Sequence, residues 1–195
     1  VTGVQTCALP IFYNPFDFIS TAQTDIDVEW IYYSFEIDKR IKIVKGITRK
    51  LLYDYKILTD VNYVLSRGKN RISQEVYDKV IGLRTYFERL EDKLTIFDLS
   101  QPPSKIKKFL HSHAKKNGKV TYKTLIDDKG REHKEFDNYI PFNPNKYVII
   151  VVDHIALSES EDGKNIKEVI DSISQTFIPV RNNYNYIIVA VQQLN

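Results

Sequence analysis

Residues Tyr147 to Leu157, YVIIVVDHIAL, constrain this chain more than any other stretch. Val148 to Val152 are uninterrupted aliphatic residues that run straight into Asp153. A β-branched run with no polar alternation is a strand covered on both faces, and such strands belong inside parallel sheets. A carboxylate at the carboxyl end of such a strand stands where open α/β sheets bind ligands. It can hold the magnesium ion of a nucleotide there, or it can merely cap the following loop. The strand alone does not choose between these roles.

The flanking segments supply the sheet and its crossovers. Val28 to Phe35, VEWIYYSF, is rich in β-branched and aromatic residues and predicts a strand that ends at Glu36. Asp38 opens a helix with Ile41, Val44, Ile47, Leu51 and Leu52 on one face. Its other face carries Lys39, Arg40, Lys42, Lys45, Arg49 and Lys50, either a nucleic-acid patch or, as preferred here, a solvated face. Ser73 caps a second helix with Val76, Val80, Leu83, Phe87 and Leu90 at helical spacing. Leu94 to Phe97 is a short strand ending at Asp98, and Ser104 caps a helix after Pro102-Pro103. His111 and His113, two apart with no Cys beside them, do not share a helical face and make a poor metal pair. Residues 119–140 alternate around Asp127-Asp128-Lys129-Gly130 and predict an exposed β-hairpin inserted before the central strand. Ile166, Val169, Ile170, Ile173 and Phe177 mark a further helix, which Pro179 is expected to kink or end early. Tyr186 to Val191, YIIVAV, is another buried strand, and it runs into Gln192-Gln193-Leu194-Asn195.

Helices between buried strands make this an α/β chain with a mostly parallel sheet. Its 195 residues suffice for one domain with a sizeable core, and 43% hydrophobic against 27% charged residues is ordinary for a globular protein. The net charge of +3 is too small to argue for nucleic acid by itself. No apolar run has membrane-spanning length, and the one Cys forms no internal disulfide, which suits a reducing compartment. Residues 1–11, VTGVQTCALPI, are uncharged and match the translation of a common sequencing-adapter oligonucleotide; the chain contains no Met. They are set aside from the fold as a sequencing artefact would be.

Glu36, Asp153 and Gln193 follow three strands at one sheet edge, where they can converge on one ligand. ATP hydrolysis needs a magnesium partner, a carboxylate that activates water and a neutral donor that senses the γ-phosphate. An Asp, a Glu and a Gln can fill those roles.

With these residues in order, the chain resembles the RecA-like motor domain of DnaB-like hexameric replicative DNA helicases. WIYYSFEID is similar to the family's strand ending in Ser-Leu-Glu, IIVVDHIAL to its Walker B strand, and VAVQQLN to its strand ending in Ser-Gln-Leu-Asn. The resemblance covers residues 12–195 apart from the hairpin. It implies a RecA-like P-loop NTPase core that uses ATP and Mg²⁺. It implies Asp153 as the magnesium carboxylate, acting mostly through water, Glu36 as general base and Gln193 as γ-phosphate sensor. It also implies translocation on single-stranded DNA, duplex unwinding, a homohexameric ring, primase and other replication proteins as partners, and a cytoplasmic or host-cell location. His154 stands where the family often has Tyr, and a packed or surface imidazole is the preferred role for it.

The family's phosphate loop, G-x-x-x-x-G-K-[ST], is absent: no two Gly are five positions apart, and no Gly-Lys precedes Ser or Thr. The chain is therefore expected to be an ATPase-domain fragment truncated at both ends and inactive alone. Tyr186–Val191 is expected to have an unpaired edge, because the family's P-loop strand lies beside that strand. A RecA/RadA-type recombinase or other RecA-fold ATPase shares the Glu and Asp positions. A non-catalytic DNA-binding module is the alternative of a different class.

Overall fold

The computed structural model describes residues 16–17, 25–69, 71–160, 163 and 165–192. The adapter-like residues 1–11, the Asn14-Pro15 turn and Gln193 lie outside the described residues. The structured chain runs β1 (Asp27–Ser34), α1 (Lys39–Tyr55), α2 (Val61–Val64), α3 (Gln74–Gly82), α4 (Arg84–Glu91), β2 (Leu94–Phe97), α5 (Pro103–Asn117), β3 (Gly118–Ile126), β4 (Glu132–Pro141), β5 (Lys146–Asp153), α6 (Ile166–Tyr184) and β6 (Ile187–Val191).

Four strands form one all-parallel sheet in the order β2-β1-β5-β6. The apolar run read from the sequence is β5, and it is held on both sides, by β1 and β6. Ile150, Val151 and Val152 are fully buried, each contributing about 1.5–3 kcal/mol of apolar transfer on an area basis. The β6 strand bonds β5 alone among the described residues, so its other edge is open there.

Side-chain alternation splits the core between two faces. Ile31, Tyr33, Ile150 and Val152 pack with Ile106 and Leu110 of α5 and Ile173 and Phe177 of α6. Val28, Trp30, Tyr32 and Val151 lie on the opposite face with Leu90 of α4. Beyond them, Leu51, Val76 and Leu83 knit α1, α3 and α4 together.

Several local expectations are corrected. The single helix after Ser73 is two helices broken at Gly82–Leu83, because buried Leu83 anchors the junction against Leu51 and Val76. Ser73 does cap the first of them, accepting from Val76 N. Ser104 is not a cap: Pro102 is the cap residue and Pro103, which needs no amide partner, takes the first helical position. Pro179 does not end α6, which continues to Tyr184, since buried Val180 and Tyr184 hold the segment after it to the core. Leu52 is 41% exposed instead of lying on the packed face of α1.

The hairpin β3–β4 pairs antiparallel from Gly118↔Pro141 to Ile126↔Glu132. Asp127 Oδ1 accepts from the amides of Lys129 and Arg131, and Gly130 supplies the positive φ of the turn. Only glycine fits at the hairpin's base: a Cβ on Gly118 would come within 2.3 Å of the Tyr139 ring.

A polar network closes the amino end of the sheet. Glu29 of β1 forms an ion pair with Lys146 of β5 and a hydrogen bond with His113 of α5, whose Nε2 is 3.0 Å away. His113 Nδ1 shares a hydrogen bond with the Tyr186 hydroxyl at 2.8 Å, and Lys146 also donates to Asn117 Oδ1. Burial alone raises the Glu29 carboxyl, but hydrogen bonds and charge from His113 and Lys146 outweigh it and hold the group at about 2, against an ordinary 4.5. A depressed folded pKa stabilises the fold above pH 4.5, and that contribution is lost as pH falls towards 2. Urea midpoints measured between pH 5 and pH 2 are therefore expected to fall more steeply for the parent chain than for Glu29→Gln. Parallel curves would remove Glu29 from the acid response.

Candidate functional site at the carboxyl edge of the sheet

Parallel pairing aligns the strand ends. Ser34 is in register with Asp153, Asp153 with Val191, and Tyr33 with Phe97. Glu36 follows two residues after Ser34 and is exposed. Gln193 would follow two residues after Val191, and its own position lies outside the described residues. Asp98, just beyond β2, accepts from Lys39 N at 2.9 Å, while Asp38 accepts from Ile41 N, so two carboxylates cap the first turn of α1.

Period-two alternation puts Asp153 on the same face of β5 as Val151, and hence on the Tyr32 side of the sheet. There Tyr32 donates from its hydroxyl to Asp153 Oδ2 at 2.6 Å. Lys42, reaching in from α1, donates to the same Oδ2 at 2.8 Å and to the Tyr32 hydroxyl at 2.8 Å. All three side chains are buried, with Lys42 only 1% exposed. Asp153 Oδ1 accepts no hydrogen bond among the described residues. With Oδ2 enclosed by its two donors, Oδ1 is the open part of a side chain that remains 13% exposed.

This triangle takes Lys42 out of the solvated basic face assigned to α1, on which Lys39 and Arg40 are exposed as expected. Lys42 belongs to the buried stripe with Val44, Gly46 and Leu51. Of the remaining cations, Lys39 pairs with Glu91, Arg49 with Asp17, and Lys50 with Asp17 and Asp54. Four of the six cations, counting Lys42, thus have a carboxylate partner among the described residues. Neither Lys42 nor Tyr32 was a candidate from sequence. The available signal was a Lys between Ile41 and Ile43, two positions from buried Val44 and one turn before buried Gly46.

The electrostatics follow from burial and charge. Burial pushes the Asp153 carboxyl up, but the hydrogen bonds from Lys42 and Tyr32, with the charge of Lys42 and His154, bring it below its ordinary value. The Tyr32 phenol is pushed far above its ordinary value by burial, by its bond to Asp153 and by the charges of Asp153 and Glu36. At neutral pH Asp153 is ionised and Tyr32 keeps its proton to donate. The Lys45 ammonium is held below its ordinary value by burial and by Lys42, while Glu36 and Asp153 act the other way. Glu36 and Asp153 thus act on the same two groups, Tyr32 and Lys45, although Glu36 makes no bond to the triangle.

His154 is half-buried, and its Nδ1 is enclosed without a hydrogen-bond partner among the described residues. The two earlier histidines face different partners: His111 contacts the hydroxyls of Tyr184 and Tyr122, and His113 belongs to the amino-end network. Among the described residues no group of three His, Cys, Asp or Glu gathers around a metal position. One open carboxylate oxygen and a nearby exposed Glu do fit magnesium that arrives with nucleotide phosphates and keeps most of its water.

No protein-family model and no curated protein matches the chain. Among solved structures, the fold is similar to that in the structure of a DnaB-like replicative helicase and its interactions with primase, with a TM-score of 0.56 and 17% identity. The match covers 87% of this chain and 32% of that one, so the chain spans about a third of that helicase. At this identity the likeness is one of fold: a RecA-like α/β core with a mostly parallel sheet flanked by helices.

The triangle carries a stability prediction. Tyr32→Phe removes one donor to Asp153 and one acceptor of Lys42 in a buried site, and is expected to lower unfolding stability by about 1–3 kcal/mol. Urea denaturation measures this; an unchanged midpoint would show that the hydroxyl is not part of the pairing.

Proposed function

We propose that this chain is part of the ATPase core of a DnaB-like replicative helicase, an enzyme that couples ATP hydrolysis to movement on single-stranded DNA and duplex unwinding. One observation carries the proposal: β1, β5 and β6 lie side by side in parallel, with Asp153 in register with both Ser34 and Val191. That pairing brings the carboxyl ends of β1, β5 and β6 to one edge, and in sequence Glu36, Asp153 and Gln193 stand at or just after those ends. The likeness of fold to a DnaB-like helicase supports the same conclusion.

On this proposal ATP and Mg²⁺ are the cofactors. Magnesium, when bound with the nucleotide, would supply positive charge against the phosphates. Asp153 would hold it through water by Oδ1, the oxygen that Lys42 and Tyr32 leave open. Glu36, exposed at the end of β1, would accept the proton of the attacking water. Gln193 would sense the γ-phosphate and pass its loss to neighbouring loops. The whole protein would work as a homohexameric ring on single-stranded DNA. The helicase whose fold it shares interacts with primase, and primase is the replication partner proposed for this ring.

The 195-residue chain contains no sequence for a phosphate loop, and alone it is expected not to turn over ATP. Joined in frame to the P-loop strand and helix of a DnaB-like helicase, it should hydrolyse ATP with magnesium. Glu36→Gln should then lower kcat by about 10²–10⁴-fold with little change in KM. Magnesium-dependent turnover by the 195-residue chain itself, or an extended chain indifferent to Glu36→Gln, would contradict the proposal.

A further inference from the structure

Lys42 is as deeply buried as the aliphatic core, yet it carries an ammonium group. An ion in such a place is tolerated only beside an opposite charge that satisfies its donors. Both of its hydrogen bonds, to Asp153 Oδ2 and to Tyr32, belong to one ring of contacts joining α1, β1 and β5. Every donor in that ring reaches Oδ2, and none reaches Oδ1. A carboxylate gripped at one oxygen by two donors from two elements is fixed in rotation, and its gripped oxygen is closed to a metal.

We infer that Lys42 is a positioning residue of the site. It is the resident counter-ion of Asp153, closing Oδ2 and leaving Oδ1 as the single oxygen that a ligand can use. The inference rests on the proposal that Asp153 faces the magnesium ion of a nucleotide, and it adds a consequence. An Asp153 already neutralised by Lys42 binds a bare divalent cation weakly, because the carboxylate can neither chelate it with both oxygens nor offer an uncompensated charge. Divalent metal is therefore recruited together with nucleotide phosphates and not ahead of them. Lys42 touches neither nucleotide nor metal in this arrangement; it acts through Asp153.

The test uses the 195-residue chain with manganese(II) alone as the probe, reading free metal by electron paramagnetic resonance at pH 7.5. The parent chain should bind weakly. Lys42→Met removes one of the two donors on Oδ2 together with the counter-charge, and should tighten manganese binding by roughly tenfold. Lys42→Arg keeps the charge and should restore the parent affinity, a rescue that a merely space-filling role does not require. Adding Asp153→Asn to Lys42→Met should abolish the gain. Circular dichroism checks the fold of each variant, and Lys42→Gln replaces Lys42→Met if that variant does not hold the sheet. Manganese affinity unchanged on loss of the ammonium, or a gain that survives Asp153→Asn, would overturn the inference. No nucleotide is present, so these outcomes are separate from failure of the ATPase proposal, which is read from turnover of the extended chain.

Discussion

The pairing of Lys42 with Asp153, bridged by the Tyr32 hydroxyl, is the contact through which the first crossover helix is tied to the working edge of the sheet. Its weight comes from where it lies. An exposed pair such as Lys39–Glu91, with side chains 47% and 73% exposed, contributes little because water screens it. Lys42 and Asp153 are 2% and 13% exposed, so each loses several kcal/mol of hydration on folding. Their attraction, with the hydroxyl as third member, offsets that loss only while the geometry holds. The pair therefore specifies the docking of α1 against β1 and β5 more than it adds net stability. Removing one partner is strongly destabilising, on the order of 3–5 kcal/mol for a buried pair, because the other charge is stranded.

The two ends of the sheet use similar chemistry for different purposes. At the amino end, Glu29, His113, Lys146, Asn117 and Tyr186 use their polar groups on one another, linking β1, β5, α5 and the start of β6. At the carboxyl end the network is incomplete: Asp153 Oδ1 has no partner among the described residues and Glu36 is exposed. Open acceptors on a rigid edge are what a ligand site requires, and parallel strands deliver them in register.

Much of this was legible in the sequence for a physical reason. A strand covered on both faces must be apolar throughout, so β5 and its terminal Asp153 stood out, and helices between such strands implied a parallel sheet. The Asp127–Gly130 turn and its hairpin were equally plain, because turn chemistry is local. What escaped depends on partners far apart in sequence. Lys42 was assigned to a solvated face because helical patterning sorts residues by type, and a lysine counts as exposed until a carboxylate 111 positions away is known to meet it. The Glu29 network was hidden for the same reason, as it appears only once β1, β5 and α5 are in register. Pro179 within α6 shows packing overriding a local rule, with Val180 and Tyr184 holding the helix beyond it.

The most direct test of this account is a double-mutant cycle between Lys42→Met and Asp153→Asn, followed by urea denaturation at neutral pH. If the pair governs the docking of α1, the single variants are each strongly destabilised. The double variant then recovers much of the loss, with a coupling energy of about 2 kcal/mol or more. Losses that simply add, to within about 0.5 kcal/mol, would mean that Lys42 and Asp153 do not depend on each other.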